Sequence, residues 1–222
     1  MKSLRAKLWL GAFASFALLA AMFFLSAGTL WFWQAWAYLG TTFTFWAFAV
    51  AYFYVHDPQL LERRMKQKEK VREQKLIMFS AYPVFAALYI LPGVDHRLGW
   101  SRVPLWLTLI GLALVLAGQV ITCWVLKYNS YASRIIEVAA GQKVVTTGPY
   151  AIVRHPMYLG LGLMSLAVPL ALGSYYALPV GLLIIPFLML RLLNEEKVLR
   201  QELPGYTEYC QRMRFRLIPY VW

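Results

Sequence analysis

Four stretches of this 222-residue chain carry no Asp, Glu, Lys or Arg: residues 8–55, 76–94, 103–126 and 156–190. A helix needs about 20 apolar residues to cross a hydrocarbon layer about 30 Å thick. The first stretch therefore predicts two spans with a break near Gly28-Thr29, and the second and third predict one each. The fourth is different. Its 35 residues rise only about 52 Å as helix, less than two perpendicular crossings require. Gly173-Ser174 lies at its middle, with Pro169, Pro179 and Pro186 around it. It predicts a short helical hairpin that thins the bilayer locally or stops short of the far side. The fold class is thus an all-α, polytopic membrane helical bundle of five to six membrane helices, the short C-terminal hairpin included, plus a cytoplasmic C-terminal helix. Residues 1–126 supply four spans, and residues 127–222 hold the remaining polar sequence.

A net charge of +12 raises the question of nucleic acid. Sorting the basic residues answers it. With both termini in the cytoplasm, 20 of the 22 Lys and Arg fall inside, and only Arg97 and Arg102 fall outside. That is the positive-inside pattern of a membrane protein, and no basic patch interleaved with aromatics stands apart from the membrane flanks. The basic N-terminus followed by an apolar run reads as a retained first helix, because the run is too long for a signal core and continues into a second span. Trp31, Trp33 and Trp36 suit the interface at that break. The mixed-charge segment 62–75 reads as a solvated helix on the headgroups. Cys123 and Cys210 lie in different compartments and cannot pair. His56, His96 and His155 are too scattered for a metal site. Every charged residue lies outside the long apolar runs, which argues against an ion-coupled transporter and leaves a membrane scaffold as the non-enzymatic alternative.

Two polar pieces, 127–155 and 191–222, flank the hairpin, so its two arms bring them to the same face. In the first, Gly148-Pro149 signals a turn. Pro156 suits the first turn of the next helix, which places His155 at the cap. The free N–H groups of that turn, with the Arg154 fork, can hold a carboxylate or phosphate. A snorkelling Arg-His anchor would look the same. In the second piece, Arg191 and Glu195 are one helical turn apart and can pair. Glu195 and Glu196 can receive ribose hydroxyls, an amino group or a sulfonium-bearing ligand. They can equally open an exposed helix with Lys197 and Arg200 as partners. Tyr206 and Tyr209 either cover a ligand or pack at the interface. Gly160 and Gly162 follow no strand, which excludes a dinucleotide loop and favours close helix packing.

Taken in order, Gly148-Pro149-Tyr150, Arg154-His155-Pro156-x-Tyr158-x-Gly160, the apolar hairpin, Arg191-x-x-x-Glu195-Glu196 and Tyr206-x-x-Tyr209 resemble the isoprenylcysteine carboxyl methyltransferase family and the related phospholipid methyltransferases. The resemblance covers about residues 129–222; the first four spans match only as hydrophobic helices. It implies that residues 127–222 form a catalytic region binding S-adenosyl-L-methionine between the segment before the hairpin and the helix after it. Carried over by position, the cofactor contacts are Gln142, Lys143, Val144, Val145, Tyr150, His155, Pro156, Met157, Tyr158 and Glu195, with Glu196 adjacent. Arg191 corresponds to the family's substrate-contacting arginine, with Arg154 and Arg216 as further candidates for catalysis and substrate binding. Residues 135–140 offer little polar character where the family has another cofactor contact, so the adenosine pocket is expected to differ.

These expectations describe a membrane methyltransferase acting on a lipophilic or lipidated acceptor, with O-methylation of a carboxylate as the leading reaction. A carboxylate is already ionised at neutral pH and needs no general base. An arginine fork can orient it for direct displacement on the methyl group. A phospholipid or amine acceptor would instead need a proton acceptor, such as His155 or a Glu. A sterol-reductase-like oxidoreductase using NADPH shares a similar hairpin and is the enzymatic rival; the Glu pair favours methyl transfer. The short loops suit a bacterial inner membrane, or an endoplasmic reticulum membrane in a eukaryote, with the site facing the cytoplasm.

Overall fold

A computed structural model describes residues 2–65 and 72–222, and the described residues are helical with connecting turns. The helices are α1 (Lys2–Ala27), α2 (Trp33–His56), α3 (Pro58–Arg64), α4 (Arg72–Leu98), α5 (Leu105–Tyr128), α6 (Pro156–Ala171), α7 (Leu178–Glu202) and α8 (Tyr206–Arg212), with a short 3-10 turn at Gly148–Ala151. Four of them, α1, α4, α5 and α7, are long and apolar enough to cross a membrane. The chain is therefore an integral membrane protein. The predicted break after Gly28 separates α1 from α2, whose 24 residues are long enough to cross but rich in Trp, Tyr and Thr. The fourth charge-free stretch is indeed a hairpin, α6 and α7, with arms of 16 and 25 residues. The mixed-charge segment 62–75 falls partly outside the described residues: α3 ends at Arg64 and α4 begins at Arg72.

The chain forms two compact units, each assembled from three stretches: Met1–Phe48, Tyr82–Leu116 and Met164–Ile184 in one, Ala49–Ala81, Ala117–Leu163 and Ile185–Trp222 in the other. The division in chain order at residue 126 is thus distinct from the packing units, which interleave along the sequence.

In the first unit, Phe23 is fully buried and meets Phe32, Tyr38 and Tyr89 edge-on. Edge-to-face contacts of this kind add to the burial of large rings. The hairpin turn is fixed by a buried acid. Asp95 accepts hydrogen bonds from Ser101 N at 2.7 Å, from Ser101 Oγ at 2.6 Å and from Ser174 Oγ. Ser174 Oγ in turn accepts from Ala177 N at the start of α7. Gly173 supplies the left-handed conformation the reversal needs, at φ +72°.

The second unit holds the polar sequence. Asp57 caps α3 by accepting from Leu60 N at 3.0 Å, and Pro58 occupies the first turn where its missing N–H is harmless. α3 is tied to the segment after α5: Arg63 Nη1 donates to Ser130 O at 2.5 Å, and its guanidinium lies over the Tyr131 ring at 4.9 Å. Gly160 lets α6 press against α5, because a Cβ there would come within 2.8 Å of Gly118 O. Gly162 has no such constraint, its nearest neighbour being Ile185 Cδ1 at 3.6 Å. The small-residue packing expected at this helix start therefore rests on Gly160 alone.

Candidate active site

The block Arg154-His155-Pro156-x-Tyr158 sits where a turn becomes α6. Pro156 is the first helical residue, as predicted, with His155 just outside. The two residues before it are pinned by the chain's last segment: Arg154 N donates to Phe215 O and His155 N to Arg216 O, both at 2.9 Å. That segment folds on itself, because the N–H groups of Arg216, Leu217 and Ile218 converge on Trp222 O at 2.8–3.3 Å. The Arg216 guanidinium also lies over the Trp222 ring at 5.0 Å. Backbone pairing thus fixes where the Arg154 and His155 side chains start.

Those side chains meet Glu196 on α7. Glu196 is buried, and its Oε1 lies 2.8 Å from Arg154 Nη1 and 3.3 Å from His155 Nε2. Its Oε2 accepts from Arg216 Nε at 3.1 Å and faces Arg200 Nη2 at 3.9 Å. A buried carboxylate is tolerable only when so compensated. The alternative open to the sequence, an exposed pair of acids with Lys197 and Arg200 as partners, is not what the fold makes. Arg154 also donates from Nη2 to Arg214 O at 3.1 Å, while its Nε is buried without a hydrogen-bond partner among the described residues.

Consecutive residues on a helix point about 100° apart, so Glu195 serves a second partner. Its Oε2 accepts from Tyr158 Oη at 2.6 Å, and the side chain is only half-buried. The two acids of α7 therefore grip different members of one block, Glu196 on Arg154 and His155, Glu195 on Tyr158. Arg191, one turn earlier, does not turn back on Glu195; its Nη2 donates to Arg134 O at 2.6 Å.

Tyrosines line the rest. Tyr206 and Tyr209 on α8 are buried, and with Leu203 they pack against Val144, Val138 and Met213. Tyr206 Oη lies 3.4 Å from His155 Nε2. One ring nitrogen cannot donate to Glu196 and accept from Tyr206 at once, so the tautomer that donates to Glu196 leaves the Tyr206 hydroxyl free to point elsewhere. Tyr209 Oη donates to Tyr150 O at 2.7 Å, and Asn129 Nδ2 donates to Tyr150 Oη at 2.8 Å. Burial pushes the Tyr150 hydroxyl up to about 12.

Of the residues the sequence points to, Tyr150, Arg154, His155, Pro156, Tyr158, Glu195, Glu196 and Arg216 belong to this constellation, with Val144 joined through the α8 tyrosines. Gln142 makes a local turn instead, exchanging hydrogen bonds with Ala139 at 2.9 and 3.0 Å. Lys143 is exposed, and Val145 and Met157 are half-buried. Nothing in the sequence marks Asn129 and Arg134; both lie in an irregular segment without helical period. Spacing leaves the roles of Tyr206 and Tyr209 open, and only the packing of α8 shows where they point.

Residues 106–204 match the phospholipid methyltransferase family. Protein-S-isoprenylcysteine O-methyltransferase B of Arabidopsis thaliana is 27% identical over 142 residues, covering 62% of this chain and 68% of that protein. Delta(14)-sterol reductase TM7SF2 of Mus musculus is 36% identical over 90 residues, 39% of this chain. The chain spans only 22% of that reductase's length. The structure of the eukaryotic intramembrane Ras methyltransferase ICMT shares the fold with a TM-score of 0.51 at 19% identity, covering 94% of this chain and 75% of that one. The fold is that of a polytopic helical membrane protein, and the matched block contains the Arg154-His155-Pro156-x-Tyr158 segment and both α7 acids. The family match covers less than half of the chain, and the likeness to the solved methyltransferase is one of fold.

Proposed function

We propose that this protein transfers a methyl group from S-adenosyl-L-methionine to a lipophilic acceptor at the cytoplasmic face of its membrane, with a carboxylate as the leading acceptor. One observation carries the reading: adjacent acids on α7 bind different members of the Arg154-His155-Pro156-x-Tyr158 block. The donor set suits the cofactor. Glu195 is a half-buried carboxylate oriented by Tyr158, with lone pairs left for hydroxyl or amino groups. The partnerless Arg154 Nε offers a donor in a buried setting. Tyr150, Val144 and the α8 tyrosines supply flat and apolar surface.

When bound, the cofactor would supply an electrophilic methyl on a sulfonium, with the neutral thioether as leaving group. Glu195 would hold the cofactor's hydroxyl or amino groups with its free lone pairs. Glu196 does not touch substrate in this scheme; it locks Arg154, His155 and Arg216 so that the helix start is pre-set. Arg154 and Arg216 are therefore assigned to positioning, and Arg191 to orienting the acceptor's carboxylate with its planar fork. Such an acceptor needs no base, only alignment and the exclusion of water. An amine acceptor, favoured by the phospholipid methyltransferase match, would use His155 as proton acceptor. The sterol reductase match keeps NADPH as a rival ligand.

Titration calorimetry of the detergent-solubilised protein with S-adenosylhomocysteine and with NADPH separates these readings. We expect the first to bind and the second not to. Glu195→Ala weakens the first tenfold or more, about 1.4 kcal/mol, while Arg191→Ala leaves it within twofold and lowers turnover on a labelled lipid extract. Tight binding of NADPH alone would overturn the assignment.

A further inference from the structure

Asn129 closes the end of α5 and is held through its backbone and its side chain. Its N–H donates to Val125 O at 3.0 Å, and its carbonyl accepts from Ala132 N at 3.1 Å. Its side-chain Oδ1 accepts from Tyr131 N at 3.0 Å. A backbone N–H can only donate, so this contact decides which way round the amide lies. Nδ2 then faces the Tyr150 hydroxyl and donates to it at 2.8 Å. The turn that carries Tyr150 can lie this close to the end of α5 because residue 148 is glycine; a Cβ there would run into the Tyr128 ring.

A hydroxyl oxygen that accepts from an amide sends its own proton elsewhere. Among the described residues the hydrogen-bond partner of the Tyr150 hydroxyl is Asn129, so that proton is left for a ligand. Other tyrosine protons of the site are spent: Tyr158 donates to Glu195 and Tyr209 to Tyr150 O. Tyr209 in turn packs on Tyr206, with ring centroids 5.9 Å apart, and Tyr206 Oη lies 3.4 Å from His155 Nε2. Tyr150 is thereby joined to the Arg154-His155-Pro156-x-Tyr158 block. We infer that Asn129 is a positioning residue of the cofactor site, fixing the Tyr150 hydroxyl as a donor to an acceptor atom of the cofactor while Glu195 takes the cofactor's own donors. The inference rests on the methyltransferase reading for the identity of the ligand; the polarity of Tyr150 stands on the hydrogen bonds alone. Asn129 lies outside the residues that the sequence points to, and it acts only through its neighbour.

The test is a near-isosteric inversion in the full chain, held in a neutral maltoside detergent. In Asn129→Asp one carboxylate oxygen still accepts from Tyr131 N, but the other can only accept, so it takes the Tyr150 proton away from the ligand. Calorimetry should find S-adenosylhomocysteine bound about tenfold more weakly by Asn129→Asp and by Tyr150→Phe, the weight of one buried hydrogen bond. The double variant should be no weaker than either single one, because both remove the same donor. Asn129→Ser, which keeps an oxygen for Tyr131 N but cannot hold Tyr150, guards against misfolding of the first variant; its loss should also vanish in the Tyr150→Phe background. The tyrosine doublet of the Raman spectrum, whose intensity ratio reports whether a hydroxyl donates or accepts, should shift in ligand-free Asn129→Asp. That shift should be missing when Tyr150 is replaced by Phe. Unchanged affinity in Asn129→Asp, losses that add in the double variant, or a doublet that does not move would each overturn the inference and leave Asn129 a structural cap. Loss of the methyltransferase reading looks different: S-adenosylhomocysteine fails to bind the unaltered protein while the doublet still shifts in Asn129→Asp.

Discussion

Two buried carboxylates, one in each packing unit, are compensated in opposite ways. Asp95 is surrounded by neutral donors, two serine hydroxyls and a backbone N–H. Glu196 is surrounded by Arg154, Arg216, Arg200 and His155. Neutral donors close a turn and leave nothing else depending on the acid. Cationic partners make the acid a junction on which other functional groups depend. The difference separates a carboxylate that holds the fold from one that holds a site.

The largest effect should follow from Glu196→Gln. Arg154 would lose its counter-charge inside the protein, costing about 3–5 kcal/mol, read as a fall in the thermal unfolding midpoint in detergent together with loss of S-adenosylhomocysteine binding. Asp95→Asn should cost less, about 1–3 kcal/mol, because an amide keeps one acceptor for the serine cluster. Its S-adenosylhomocysteine affinity should not change; a drop would break the contrast between the two acids. Tyr158→Phe removes a hydrogen bond to a charged group, about 1.5–3 kcal/mol, and should appear chiefly as roughly tenfold weaker cofactor-analogue binding in calorimetry. The smallest effect belongs to Tyr209→Phe, which frees only the Tyr150 carbonyl. It should cost about 1 kcal/mol in the same unfolding assay.

The helices are legible because their signal is additive: a long charge-free run has few places to go but a membrane. The hairpin can be read from Gly173-Ser174 and the length of its run, and the helix start at Pro156 from proline chemistry. The Glu195–Glu196 pair is legible as a place but not as a division of labour. Helical geometry sends the two acids to different partners, and the sequence does not say which meets Tyr158 and which meets Arg154. Arg154 and Arg216 look like candidates for substrate contact because an isolated arginine near a site always does; their commitment to Glu196 arises from contacts 42 and 20 residues apart in sequence. Asp95 lies one residue past a charge-free run, and nothing around it hints at burial.

The unequal hairpin has a consequence for the lipid around it. Sixteen residues of α6 rise about 24 Å, several ångströms less than an average bilayer interior of about 30 Å. Hydrocarbon chains beside that arm must shorten or splay to match it. Such a dimple lowers the headgroup plane toward His155, at the start of that arm. A greasy acceptor would then slide sideways into reach with its polar end already at the right depth, and turnover in vesicles should rise as acyl chains are shortened toward the span of α6.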